Sequence, residues 1–303
     1  MLLCILTGGN IDLSVGSVVC FAGAVGATLM ESKGMNPWAA SIMMLLIGLL
    51  IGAWQAFWIA YVHVPPFITT LSGMLVFRGL SNVVLNGLTV SLTNAGFVKV
   101  FGGGAECYIP DFLGGNGFNI TCMLVGVIAC VIYVLVQIKN RMNRAKKGYE
   151  MEALSAMVIR TVIICAVILV FMFRLAQYKG IPTALVWVAL VVLIYGYITS
   201  KTTTGRYFYA VGGNEKATKL SGINTNKVYF IAYTNMGFLA ALAGMLTIAR
   251  MTSAQPTYGQ NYEMDAIGAC FVGGASAYGG VGTVPGVIAV SYTHLRAHET
   301  CAD

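Results

Sequence analysis

Long apolar runs, separated by short polar or glycine-rich links, set the pattern of this chain. The hydrocarbon core of a bilayer is about 30 Å thick and takes about 20 apolar helical residues to cross. Seven stretches suit that length: 11–30, 38–62, 66–82, 118–138, 153–173, 182–200 and 227–250. An eighth, 263–290, is apolar but interrupted by glycine. The pattern predicts an all-α, polytopic transmembrane helical bundle of about eight spans, some of them discontinuous.

Two places break the apolar rhythm. Residues 8–17 read Gly-Gly-Asn-Ile-Asp-Leu-Ser-Val-Gly-Ser, and residues 273–283 read Gly-Gly-Ala-Ser-Ala-Tyr-Gly-Gly-Val-Gly-Thr. Interrupted segments of this kind mark discontinuous helices beside a translocation path. Small residues also serve close helix packing in lipid. The sequence leaves both explanations open.

Charge fixes an orientation. The link 139–152 holds Lys139, Arg141, Arg144, Lys146 and Lys147, and the link 201–227 holds Lys201, Arg206, Lys216, Lys219 and Lys227. Links on the other side hold only Lys33, Lys99, Arg174 and Lys179. Positive residues stay on the cytoplasmic side, so both basic links are expected there and the link 83–117 outside. The net charge of +7 is accounted for by this pattern, and no nucleic-acid surface is expected. With 57% hydrophobic and 10% charged residues, the chain cannot cover a water-facing surface, so the lipid bilayer is its first partner.

Several chemistries are missing. No glycine is followed by lysine, which excludes a phosphate-binding P-loop in these residues. The chain is not expected to hydrolyse nucleotide, to carry a cofactor or to bind a metal. Its eight cysteines contain no Cys-x-x-Cys pair, and most lie in apolar runs as small hydrophobes. His63, the only histidine before the tail, stands at a helix end before Pro65-Pro66 and reads as an interfacial residue.

The most informative link is 204–223. Asn214 can cap a short helix, Glu215 complements its positive end, and Gly222 can close it in a left-handed conformation. This predicts a two-turn cytoplasmic helix bounded by turns. It either rests on the membrane surface or inserts into a partner ATPase.

Four ordered motifs resemble the ABC-importer permeases for ribose, xylose and galactose. They are the 8–17 segment, residues 63–79 with Pro66-Phe67-Ile-Thr-Thr-Leu-Ser-Gly73-Met and Phe77-Arg78-Gly79, the link 204–223, and the run from Ala254 through Tyr262-Glu263-Met-Asp265-Ala-Ile267 to Gly286. The extra spans 153–173 and 182–200 resemble the xylose and multiple-monosaccharide subgroup. The resemblance implies a permease homodimer, a cytoplasmic ATPase with two nucleotide-binding domains that holds ATP-Mg, and an extracytoplasmic sugar-binding protein. It implies that Gly212, Asn214, Glu215, Ala217 and Gly222 transmit ATPase motion without touching sugar. Thr218 departs from the family pattern, which usually has alanine there. The implied location is the bacterial cell (inner or plasma) membrane, and the implied domain is residues 1–290, truncated at both ends. As written, the chain is expected to insert without supporting transport.

Candidate path residues follow from chemistry. Asp12 at the start of an apolar run is either a helix-start acid or part of the sugar path. Glu263 and Asp265 read as first-turn acids that could line a vestibule. Trp54, Gln55, Trp58, Tyr61, Asn235 and Gln255 offer aromatic faces and neutral hydrogen-bonding groups, and each also fits helix packing or interface anchoring. Arg78, late in its span, can snorkel to the outer headgroups.

Two rival functions remain at this level. An ion-coupled secondary transporter usually shows acids or histidines in mid-membrane, for which Asp12 is the one candidate. A membrane scaffold without transport needs no 204–223 helix. The particular sugar is not encoded in any motif. Residues 291–303, with His294, His298 and Glu299, resemble translated adapter read-through and are set aside as non-native.

Overall fold

A computed structural model describes residues 1–102, 107–114, 118–146 and 154–291, without the side chains of residues 140 and 144. Residues 292–303, including His294, His298 and Glu299, lie outside the described residues, as does Lys147. The chain divides into two units, Met1–Gly104 with Trp187–Asp303, and Ala105–Val186.

The first unit begins with α1 (Leu2–Leu6) and α2 (Val15–Glu31), separated by the non-helical residues 7–14. α3 (Pro37–Ala60) and α4 (Pro66–Val84) follow. Both start on proline, whose missing N–H costs nothing at a helix start. Asn36 caps α3 by accepting from the Trp38 N–H at 2.9 Å. Next come β1 (Val90–Ser91) and α5 (Ala95–Phe101).

The second unit holds α6 (Ile120–Lys146) and α7 (Leu154–Tyr178). Asn119 starts α6 by accepting from the Cys122 N–H at 2.9 Å. Cys122, Ala176 and Ile181 form the small buried core of this unit.

α8 (Thr183–Lys201) is followed by α9 (Thr203–Gly213), α10 (Glu215–Leu220), α11 (Thr225–Met251), β2 (Ser253–Ala254) and α12 (Tyr262–Val272). Residues 273–283 are non-helical, and 284–291 are helical again. Among the described residues, six helices are long and apolar enough to cross a membrane: α3, α4, α6 (over 120–143), α7, α8 and α11. The predicted spans 11–30 and 263–290 are the two that differ. α2 has 17 residues, about 25 Å at 1.5 Å per residue, so it falls short of a bilayer by itself. The 263–290 stretch is broken in its middle.

The core of the first unit is α2, α3 and α11. Val18, Val19, Ile51, Ala56, Ile59, Ala232, Tyr233, Met236 and Ala240 pack in one buried cluster. α3 and α11 cross at Gly48 and Gly237. A Cβ on either would run into the other helix's backbone, so only glycine permits this approach. At the end of α11 away from the basic link, β1 pairs antiparallel with β2, Val90 opposite Ala254 and Ser91 opposite Ser253.

Candidate functional site

Local sequence sets up the break between α1 and α2. Gly8 and Gly9 both have positive φ, +127° and +71°, which glycine adopts without steric cost. Asp12 then organises the restart. Its Oδ1 accepts the Ser14 N–H at 2.8 Å and the Ser14 hydroxyl at 2.7 Å. Asp12 is 2% exposed and Ser14 is equally buried.

Around this break the structure gathers polar side chains from three other helices. Gln55 of α3 lies 3.0 Å from the Ser14 hydroxyl through Oε1. Glu263, in the first turn of α12, points its Oε2 at the backbone of Gly16. Tyr233 of α11 packs in the buried cluster that holds Cys4, Leu6 and Val15, on both sides of the break. Gln55, Tyr233 and Glu263 are all nine-tenths buried or more. Yet Gln55 Nε2, the Tyr233 hydroxyl and Glu263 Oε2 have no hydrogen-bond partner. A buried polar atom left unpaired costs about 1–3 kcal/mol. Ser14 adds a constraint, because one hydroxyl proton cannot serve both Asp12 and Gln55. Whichever way the Gln55 amide is turned, one of its polar atoms stays unpartnered.

Of the residues singled out in the sequence, Asp12, Gln55 and Glu263 thus come together. Trp54 and Trp58 do not. They are 49% and 38% exposed on α3, with Trp54 edge-on to Phe77 at 6.3 Å. Asp265 is exposed on α12. Asn235 accepts a hydrogen bond from the Tyr195 hydroxyl of α8. Ser14 and Tyr233 were not singled out. Tyr233 had a signal, since Tyr229, Tyr233, Thr234 and Asn235 form a polar cluster within an apolar run.

Arg78 is a correction. It does not snorkel: Nη1 donates to the carbonyls of Pro256 at 3.2 Å and Tyr258 at 2.6 Å. It therefore pins the extended segment that leads from β2 to α12.

The 204–223 link meets the same break from the basic end of α11. As expected, α10 is capped by Asn214, whose Oδ1 accepts the Ala217 N–H at 3.0 Å, and Gly222 follows it at φ +83°. The preceding residues are not the expected turn. They form α9, capped by Thr202 accepting from the Gly205 N–H at 3.0 Å. Gly212 lies in its last turn because a Cβ there would collide with the Leu6 carbonyl and the Gly280 N–H. Those two groups bond each other at 3.0 Å. Gly279 in turn lies against Gly8, and Gly9 against the Ala277 carbonyl. The Tyr209 hydroxyl donates to the Gly282 carbonyl at 2.9 Å, and burial raises its pKa above the ordinary phenol value. The Tyr229 hydroxyl donates to Glu215 Oε2 at 3.2 Å. Thus α9, the α1–α2 break and the 273–283 break meet at one junction. Thr218 is buried and donates to the Ala210 carbonyl at 2.8 Å, so it faces α9. Leu220, by contrast, is 90% exposed. Among the described residues no group of three or more His, Cys, Asp or Glu side chains is placed to hold a metal.

Comparison with known proteins gives consistent matches along the chain. Residues 1–106 and 103–295 match the family described as branched-chain amino acid transport system / permease component. The xylose transport system permease protein XylH of Escherichia coli K12 is 35% identical over 284 residues, covering 94% of this chain and 69% of that protein. Its Haemophilus influenzae counterpart is 37% identical, covering 94% and 72%. The ribose import permease protein RbsC of Escherichia coli K12 is 34% identical over 288 residues, covering 95% and 68%. No solved structure matches.

Proposed function

The chain belongs to the family described as branched-chain amino acid transport system / permease component, and from that premise we propose that it is the membrane-spanning permease subunit of an ABC importer for a monosaccharide. One observation carries the choice of cargo. Three relatives that match 94–95% of the chain at 34–37% identity are named for two pentoses, xylose and ribose. The chain is a multi-pass bacterial membrane protein and not an enzyme, and ATP is hydrolysed by a separate ATPase subunit.

α10 serves as the coupling helix for a cytoplasmic ATPase with two nucleotide-binding domains, which holds ATP-Mg. Gly212, Asn214, Glu215, Ala217 and Gly222 shape and seat that helix. Its capped start and the outward Leu220, flanked by the exposed Lys216 and Lys219, support a docking role. The permease works as a homodimer and receives sugar from an extracytoplasmic binding protein. Sugar passes beside Asp12, Gln55 and Glu263.

The test is uptake of D-xylose and D-ribose into proteoliposomes bearing the assembled importer: permease, ATPase and binding protein. Uptake is expected to require ATP and to survive ionophores. The buried acids Asp12 and Glu263 are what favours an ion-coupled transporter instead. Uptake that persists without ATPase and collapses with an ion gradient would establish that alternative.

A further inference from the structure

Three buried polar atoms without partners surround the α1–α2 break. Gln55 Nε2 comes from α3, the Tyr233 hydroxyl from α11 and Glu263 Oε2 from α12. Their side chains are 2%, 1% and 7% exposed. Burying such groups unpaired is costly wherever water is excluded, and most costly at membrane depth. All three side chains pack against the α1–α2 break: Gln55 at Ser14, Glu263 at Gly16, and Tyr233 in the buried cluster that holds Cys4, Leu6 and Val15.

The set is chemically mixed. A glutamine amide offers donor and acceptor atoms, a phenol gives and takes a proton bond, and a carboxyl oxygen accepts. A cation would call for several oxygen ligands around one point, and no metal-binding group of three or more such residues exists among the described residues. An apolar cargo would leave every one of these atoms unsatisfied. A molecule with several adjacent hydroxyls, each both donor and acceptor, matches the chemistry of every atom in the set.

We propose that Gln55, Tyr233 and Glu263 form a hydroxyl-binding station inside the permease, which a monosaccharide occupies during passage and which Asp12 and Ser14 brace. The inference rests on the monosaccharide-importer reading. It adds that the permease itself handles the sugar, by hydrogen bonds to its hydroxyls, and is no featureless conduit. The mixture of donor and acceptor suits the class of polyhydroxylated sugars more than any one member.

Tyr233→Phe separates this from a packing role. The substitution removes only an unpartnered oxygen, so a purely structural tyrosine tolerates it or gains stability. The assembled importer is reconstituted with Tyr233→Phe or Glu263→Gln and supplied with D-xylose and, separately, D-ribose. Thermal stability of the purified permease is followed alongside. The station predicts unchanged or higher stability, ATP hydrolysis stimulated by loaded binding protein within about twofold of the parent, and sugar moved per ATP lowered about fivefold or more. Unchanged sugar per ATP in both variants overturns the station. So does a parallel fall of uptake and hydrolysis, which would mark a force-transmitting role. If the parent importer hydrolyses ATP yet moves neither sugar, the importer reading itself falls and the station falls with it.

Discussion

The same stretch, from Leu6 to Gly16, is gripped in two opposite ways. At the α9 side it meets protein through backbone. Gly212 lies on the Leu6 carbonyl, Gly280 bonds that carbonyl, and Gly279 rests on Gly8. At the other side it meets side chains, and three of those keep an atom unpartnered. Backbone contacts between glycines are short, leave little room for rearrangement and transmit displacement. Unpartnered side chains are the reverse: they leave hydrogen-bonding capacity unused. One segment thus joins a mechanical contact to a chemical one.

The largest effect is expected where the backbone joint is wedged apart. Gly212→Val adds atoms where the Leu6 carbonyl stands, and should lower ATP-driven uptake on the order of 100-fold. Gly213→Ala is the matched control. A Cβ there meets nothing within 4 Å, and uptake should stay within about twofold of the parent. Comparable losses in both variants would mean that this region merely dislikes substitution.

Leu220→Asp comes next. It leaves the joint intact and attacks the outward face of α10. Stimulation of the ATPase should fall about tenfold while membrane insertion is unchanged, since Leu220 is 90% exposed. Titration of purified ATPase against solubilised permease reads this directly.

Tyr229→Phe cuts the hydroxyl bond to Glu215 without touching the glycines. Uptake is expected to drop about threefold, equivalent to a bond of about 0.5–1.5 kcal/mol. An effect as large as that of Gly212→Val would shift the main load path from backbone to side chain.

Thr218→Ala should do least. It removes the bond to the Ala210 carbonyl, and uptake should remain within about twofold. A large loss would place Thr218 in the docking surface, against its burial beneath α10.

Much of the scaffold is legible in the sequence, because lipid imposes a length and a composition on every span. The six continuous crossing helices fall within a few residues of the apolar runs, except that α6 runs on to Lys146. α10 is legible from Asn214 and Gly222, since capping and left-handed closure are local chemistry. α9 is not. Gly212-Gly213 reads as a turn signal, whereas Gly212 is small so that another backbone can approach. The acids Asp12 and Glu263 stand out as charges in apolar sequence, but their convergence depends on tertiary packing. Nothing local shows that positions 54 and 58 stay exposed while Gln55, between them, turns inward. Tyr233 is hidden by its own type, because a tyrosine in a span ordinarily reads as an anchor.

Arg78 carries a consequence for biogenesis. Its two carbonyl partners, on Pro256 and Tyr258, are made 178 and 180 residues later. α4 therefore enters the bilayer during synthesis with a guanidinium whose acceptors do not yet exist, a burden of up to about 2.5–3.5 kcal/mol on insertion scales. A nascent chain arrested after α8 holds that charge without either acceptor. Completion of the 255–261 segment supplies both acceptors, so α4 gains these contacts only after the C-terminal part of the bundle is made.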